Sequence, residues 1–173
     1  MTSPALPYRG EQDAPAPRRR VIRAGQGEVL GPPAGVRDRY LVDASDAGGG
    51  AAVVEHLLAP RSMAGPLHRH TREDEFSYVL QGRVHIQAGD DLVIAEPGEL
   101  VFKPRHEWHT FWNADDEPAR LLEIIVPGGL EAAFRVMATD PDVDIVALAA
   151  AYGADIDLRG TEEIVERYGL TFG

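Results

Sequence analysis

Cysteine is absent from the 173-residue chain. Its absence removes disulfides, thiolate metal sites, iron–sulfur clusters and cysteine nucleophiles together. Lysine is nearly absent: Lys103 is the only one among 17 basic residues, against 28 acidic ones, for a net charge of −11. A chain so acidic has no basic stripe with which to neutralise phosphates, so nucleic acid is not an expected partner. It is equally unsuited to an anionic membrane surface. No apolar run approaches the roughly 18–20 residues that span a bilayer. Residues 1–20 hold no apolar stretch of the kind a secretory signal requires, so a cytoplasmic location is expected. Arginine in place of lysine, with abundant Ala and Gly, points to a GC-rich bacterial genome and says nothing of mechanism.

What is present is ordinary for a soluble domain, with 44% hydrophobic and 26% charged residues. Three regions differ in texture. Residues 1–20 carry several prolines and the run Arg18-Arg19-Arg20 without apolar periodicity, and read as a flexible tail. Residues 21–128 hold short apolar runs: Tyr40–Val42, Ala52–Leu58, Phe76–Leu80, Val84–Ile86, Leu92–Ala95, Leu100–Phe102, His109–Trp112 and Leu121–Val126. Turn signals such as Gln81-Gly82, Gly89-Asp90-Asp91 and Pro97-Gly98 separate them, which predicts an antiparallel sandwich or barrel. Residues 129–173 switch to a helical period. Leu130, Ala133, Phe134 and Met137 form one stripe, and Ile145, Leu148, Ala149 and Tyr152 form a second that stops at Gly153. Asp140-Pro141 is the start signal for the second helix, and Thr161 is a candidate cap for a third that ends before Gly169. These helices are too short to stand alone, so they form one domain with the β part and are expected to cover an apolar sheet face.

Four of the six histidines fall in a pattern. His68 and His70 stand at i and i+2, so in a strand both imidazoles project from one face. Glu75 follows across a polar turn and can return to the same point. His109 shares a strand face with Phe111 and Asn113. Three imidazoles and a carboxylate suit a divalent transition metal (Fe, Ni, Mn, Co, Cu or Zn), whereas Mg and Ca prefer all-oxygen shells. Four protein ligands leave a position free for exchange. His56 and His85 are isolated in apolar runs and read as ordinary structural histidines.

These residues resemble the two motifs of the cupin superfamily. The first motif is met by His68-Arg69-His70, four residues, Glu75, six residues and Gly82, with Ser62 where the family has its opening Gly. The second is met by Gly98, five residues, Pro104, then His109, three residues and Asn113, with His106 where the family has its middle Gly. The resemblance implies a mainly β, double-stranded β-helix of jelly-roll type, RmlC-like, with short C-terminal α-helices. It implies metal-ligand roles for His68, His70, Glu75 and His109. A single cupin unit followed by a helical tail is similar to bacterial quercetin-dioxygenase-like members, and relatives of this kind are often homodimers.

The function expected from this resemblance is a metal-dependent oxygenase of quercetinase-like type, taking O2 and a small aromatic or enolic substrate. The alternatives are a non-redox isomerase, epimerase, cyclase or lyase, and a small-molecule-binding module without turnover. In the enzyme readings Glu75 doubles as general base, and His106 is either an exposed turn residue or an acid–base group beside the metal. Phe102 and Phe111 are the expected walls of the substrate pocket.

Overall fold

The structure is a computed structural model that describes residues 21–172. The flexible tail read from residues 1–20 lies outside the described residues. In chain order the strands are β1 (Glu28–Leu30), β2 (Val36–Val42), β3 (Ala52–Leu58), β4 (Ser62–Met63), β5 (Leu67–His70), β6 (Asp74–Gln81), β7 (Val84–Ala88), β8 (Asp91–Ala95), β9 (Leu100–Lys103), β10 (His109–Trp112) and β11 (Ala119–Val126). Then come helix α1 (Glu131–Thr139), helix α2 (Ile145–Ala151), strand β12 (Ala154–Asp157), helix α3 (Leu158–Tyr168) and strand β13 (Thr171–Phe172).

Two sheets form the jelly-roll barrel. One has the order β1-β2-β3-β11-β6-β9; the other runs β12-β5-β10-β4-β13, with β7 pairing both β10 and β8. Period-2 alternation decides which side chains enter the barrel. On β11, Ala119, Leu121, Glu123 and Ile125 are buried while the residues between them are only partly covered. Across the ladders, Leu121 faces His56 and Ile125 faces Ala52 on β3. The Leu58 and Leu121 level is filled by an apolar cluster with Val79, Val84, Ile86 and Phe111. The Ala52 and Ile125 level is covered by Leu130 and Ala133, with Phe134, Leu148 and Tyr152 packed around them. Each fully buried side chain of this size contributes about 1.5–3 kcal/mol of transfer free energy. Between the two apolar levels lies a layer of buried polar groups.

Gly82 shows why one turn demands glycine. Its φ is 71°, and a Cβ there would sit 2.9 Å from the Pro118 carbonyl oxygen.

The C-terminal region is more than a cover. β12, which the helical periodicity did not reveal, pairs with β5 and sets Ala154 beside His70 and Ile156 beside His68. β13 adds a parallel pairing to β4. The helix starts also differ from expectation. Asp144 caps α2, accepting from the amides of Val146 and Ala147, so Asp140-Pro141 lies in the preceding turn. Asp157 caps α3 through the Gly160 amide. Thr161 stands inside that helix, where its hydroxyl donates to the Asp157 carbonyl and accepts from the Leu67 amide. The expected stop holds: Gly169 closes α3 in the left-handed conformation. Among the described residues, no helix is long and apolar enough to cross a membrane.

Candidate metal centre

The side chains of His68 and His70 project from β5 toward Glu75 on β6 and His109 on β10. The β5–β10 ladder sets His109 directly beside His68. One donor atom from each of the four residues falls within 4.8 Å of the others. His68 Nε2 and His70 Nε2 are 3.0 Å apart. His70 Nε2 lies 3.5 Å from Glu75 Oε1, and His109 Nε2 lies 3.2 Å from Glu75 Oε2.

The chemistry of this donor set fits a cation. His68 Nδ1 donates to the Pro66 carbonyl at 2.6 Å and His109 Nδ1 donates to the Glu107 carbonyl at 2.9 Å. Those backbone bonds place the proton on Nδ1 and leave the Nε2 lone pairs facing the common centre. Burial holds His68 well below the usual imidazole range, helped by His109 and His70, so its ring is neutral as a metal ligand must be. Burial alone would raise the Glu75 carboxyl, but the Lys103 ammonium together with the His109 and His70 rings outweighs that effect and holds it well below the usual carboxylate range. Converging lone pairs and an ionised carboxylate are mutually repulsive without a positive charge between them. These residues could hold a divalent metal.

The remaining expected site residues separate. Phe111 is buried and borders the cavity beside the cluster. Phe102 does not: it is 50% exposed and stacks on Phe76 at 4.9 Å on the outer face of the sheet. Its parity along β9 is opposite to that of Lys103, which is fully buried, so the outward turn of Phe102 follows from strand alternation. His106 keeps the left-handed backbone of the glycine it replaces, with φ 73°. That conformation points its amide at the His70 carbonyl, 2.7 Å away. Its ring is exposed to solvent, outside the cavity, so the acid–base role expected of His106 gives way to that of a turn residue. The Glu75 carboxylate lies between His70, His109 and Lys103, a placement that suits a metal ligand.

Two groups were not singled out from the sequence. Lys103 sits opposite Glu75 in the β6–β9 register. Its Nζ is 2.8 Å from Glu75 Oε2 and 2.8 Å from Glu123 Oε2, while Ser77 donates to Glu123 Oε2 at 2.7 Å. His56, read as an ordinary histidine, lines the same cavity, and its Nδ1 lies 2.7 Å from Asp38 Oδ1. The available signal was parity. His56 shares its strand face with Ala52, Val54 and Leu58, and Lys103 shares its face with Val101, so both stand on inward positions.

A cavity of about 90 Å³ adjoins the metal ligands. Phe111 and His56 wall it from the barrel, and Phe134, Met137, Leu148 and Tyr152 wall it from α1 and α2. The helices therefore close a binding space, beyond the sheet coverage expected of them. A groove bordered by Asp38, Gly65, Phe134, Met137 and Ile145 leads from this cavity toward solvent.

A double-stranded β-barrel with three imidazoles and one carboxylate converging inside it defines a barrel protein built around an interior metal-type donor set. Residues 54–125 match the cupin domain family, and the barrel has the jelly-roll cupin fold with short C-terminal helices. Solved structures agree. An RmlC-like cupin from Shewanella frigidimarina superposes with a TM-score of 0.55 at 18% identity, covering 66% of this chain and 96% of that one. The polyketide cyclase RemF from Streptomyces resistomycificus gives 0.52 at 26% identity, over 62% and 78%. A predicted oxalate decarboxylase from Thermotoga maritima gives 0.51 at 25% identity, over 53% and 80%. No protein of curated function matches the sequence.

Proposed function

We propose that this cupin is a metal-dependent enzyme acting on a small, apolar molecule that bears an enolic or aromatic oxygen, by carbonyl chemistry without net oxidation. The observation that carries this reading is the junction of the His68/His70/Glu75/His109 donor set with a cavity otherwise walled largely by apolar side chains. A divalent ion held there would supply Lewis-acid polarisation of a ligand oxygen. The protein's own groups do the rest. Lys103, with His109 and His70, favours the ionised Glu75, while Phe111 and Phe134 exclude water and α1 and α2 wall one side of the space. The likeness to a polyketide cyclase supports cyclisation or a related isomerisation or lyase step.

A quercetinase-like dioxygenase is the second reading. It is favoured by the apolar walls of the cavity, which suit a reaction of O2 with an apolar substrate. Two measurements test the pair. Elemental analysis of protein purified without chelator should find about one transition-metal ion per chain, lost in His68→Ala. Oxygen consumption is then followed with flavonols and enediols on protein loaded with Fe, Ni, Mn or Co, and solvent deuterium uptake is followed in aromatic β-ketones. Deuterium uptake without oxygen consumption is expected, stoichiometric oxygen consumption would favour the dioxygenase, and absence of metal from both proteins would overturn either reading.

A further inference from the structure

Several buried polar side-chain atoms find no partner among the described residues, and two of them belong to cavity-lining residues outside the metal-type donor set. His56 Nε2 and Glu123 Oε1 are buried without a hydrogen-bond partner, and both side chains border the cavity. The strand register brings them together. On the β3–β11 ladder, His56 faces Leu121 and Val54 faces Glu123, so His56 and Glu123 are diagonal neighbours on the inward face. Diagonal positions lie about 7–8 Å apart, within reach of two long side chains and one bridging group. An unsatisfied buried polar atom costs about 1–3 kcal/mol, so a ligand group that satisfied both would offset that cost.

The chemistry of the pair narrows what that is. Asp38 stands opposite His56 on β2, and its carboxylate accepts from Nδ1–H at 2.7 Å, which leaves Nε2 to meet the cavity. Burial would lower His56, but Asp38 raises it above the usual imidazole range, with Glu123 adding to the rise and Lys103 opposing it. In the imidazolium form the Asp38–His56 pair is neutral overall and Nε2 donates, while Glu123 Oε1, on the carboxylate that pairs with Lys103, accepts. One donor beside one acceptor matches a hydroxyl, which accepts from the first and donates to the second. Phe111 and Phe134 flank the His56 ring at 5.1 and 5.7 Å and supply faces for an apolar body.

We propose that His56 and Glu123 form a hydroxyl-binding pole of the cavity, so that its ligand is a ring-sized apolar molecule with a phenolic or enolic hydroxyl. This rests on reading the cavity as the substrate space of a metal enzyme, and it adds a second point of recognition apart from the metal ligands.

The test compares phenol with toluene, two probes of nearly equal shape, binding to the metal-loaded full chain by NMR titration. Phenol is expected to bind about tenfold more tightly than toluene. His56→Leu should remove that preference and leave toluene affinity unchanged. Asp38→Asn, which keeps the ring in place but removes its charge partner, should reduce the preference. Equal affinity for the two probes in the wild type, binding of neither, or a phenol preference that survives both variants would overturn the proposal. Surviving preference would mean that the hydroxyl goes to the metal. Metal content is measured on the same samples. A phenol preference that depends on His56 in protein unable to hold metal would support the hydroxyl site while overturning the proposed function.

Discussion

Replacing Lys103 with Met tests the buried charge layer directly. Lys103 is 1% exposed and makes two 2.8 Å ion pairs, to Glu75 and Glu123. Hydrogen bonds between charged groups contribute about 1.5–3 kcal/mol each, and breaking a buried ion pair from one side costs about 3–5 kcal/mol because the partner is left charged and dry. Methionine fills most of the lysine stem's volume, so cavity formation adds little. Lys103→Met is therefore expected to lose about 3–5 kcal/mol of stability. For a domain of this size that is a fall of roughly 6–20 °C in Tm. The assay is urea unfolding followed by circular dichroism, with metal-saturated and chelated samples run separately so that bound metal does not mask the loss. The double variant Lys103→Met, Glu123→Leu removes one of the two orphaned carboxylates as well and should recover part of the deficit. A single-variant cost below about 1 kcal/mol, or a double variant no better than the single, would refute the argument that Lys103 neutralises buried carboxylates.

Other expectations follow from the same geometry. His106→Gly relieves a left-handed non-glycine residue and should raise stability by up to about 1 kcal/mol in thermal melts, with metal content unchanged; loss of metal would mean that the ring, not only the amide, serves the centre. Asp38→Asn removes the main cause of the raised His56. That stabilisation is fully present below the unfolded value of about 6.5 and is lost as pH rises through the folded value. The stability gap between wild type and Asp38→Asn should therefore narrow from about pH 6.5 upward in pH-resolved urea unfolding, and a gap that widens would contradict the pairing. Gly82→Ala combines positive φ with a close approach to the Pro118 carbonyl and should cost about 1–3 kcal/mol by the same assay. Phe102→Ser, on the outer face, should leave metal content and phenol affinity at wild-type values.

The strand runs were legible because turns and alternation are local. Ala52–Leu58 and His109–Trp112 coincide with β3 and β10. The four converging donors were legible too, since the spacing of His68, His70 and Glu75 follows strand parity and a single turn. β12 and β13 were not, because Ala154–Asp157 is a short polar segment between helices whose extended form depends on an unpaired edge of β5. Phe102 was misplaced by one step of parity, which carries a side chain to the opposite face. His56, Lys103 and Glu123 stand on inward positions that sequence alone could mark as unusual. Their partners come from strands far apart in the chain, and only the register joins them.

The pairing of β12 with β5 also orders events during synthesis. Ala154, which pairs with His70, leaves the ribosome 84 residues after it. Until then one edge of the strand that carries His68 and His70 has unpaired amides and carbonyls, open to mispairing. The two imidazoles are thus presented by a strand whose second neighbour arrives late, through a long-range contact that is slow to close. A product stopped before Ala154 would carry all four metal-type donors in its sequence yet lack the edge strand that steadies two of them.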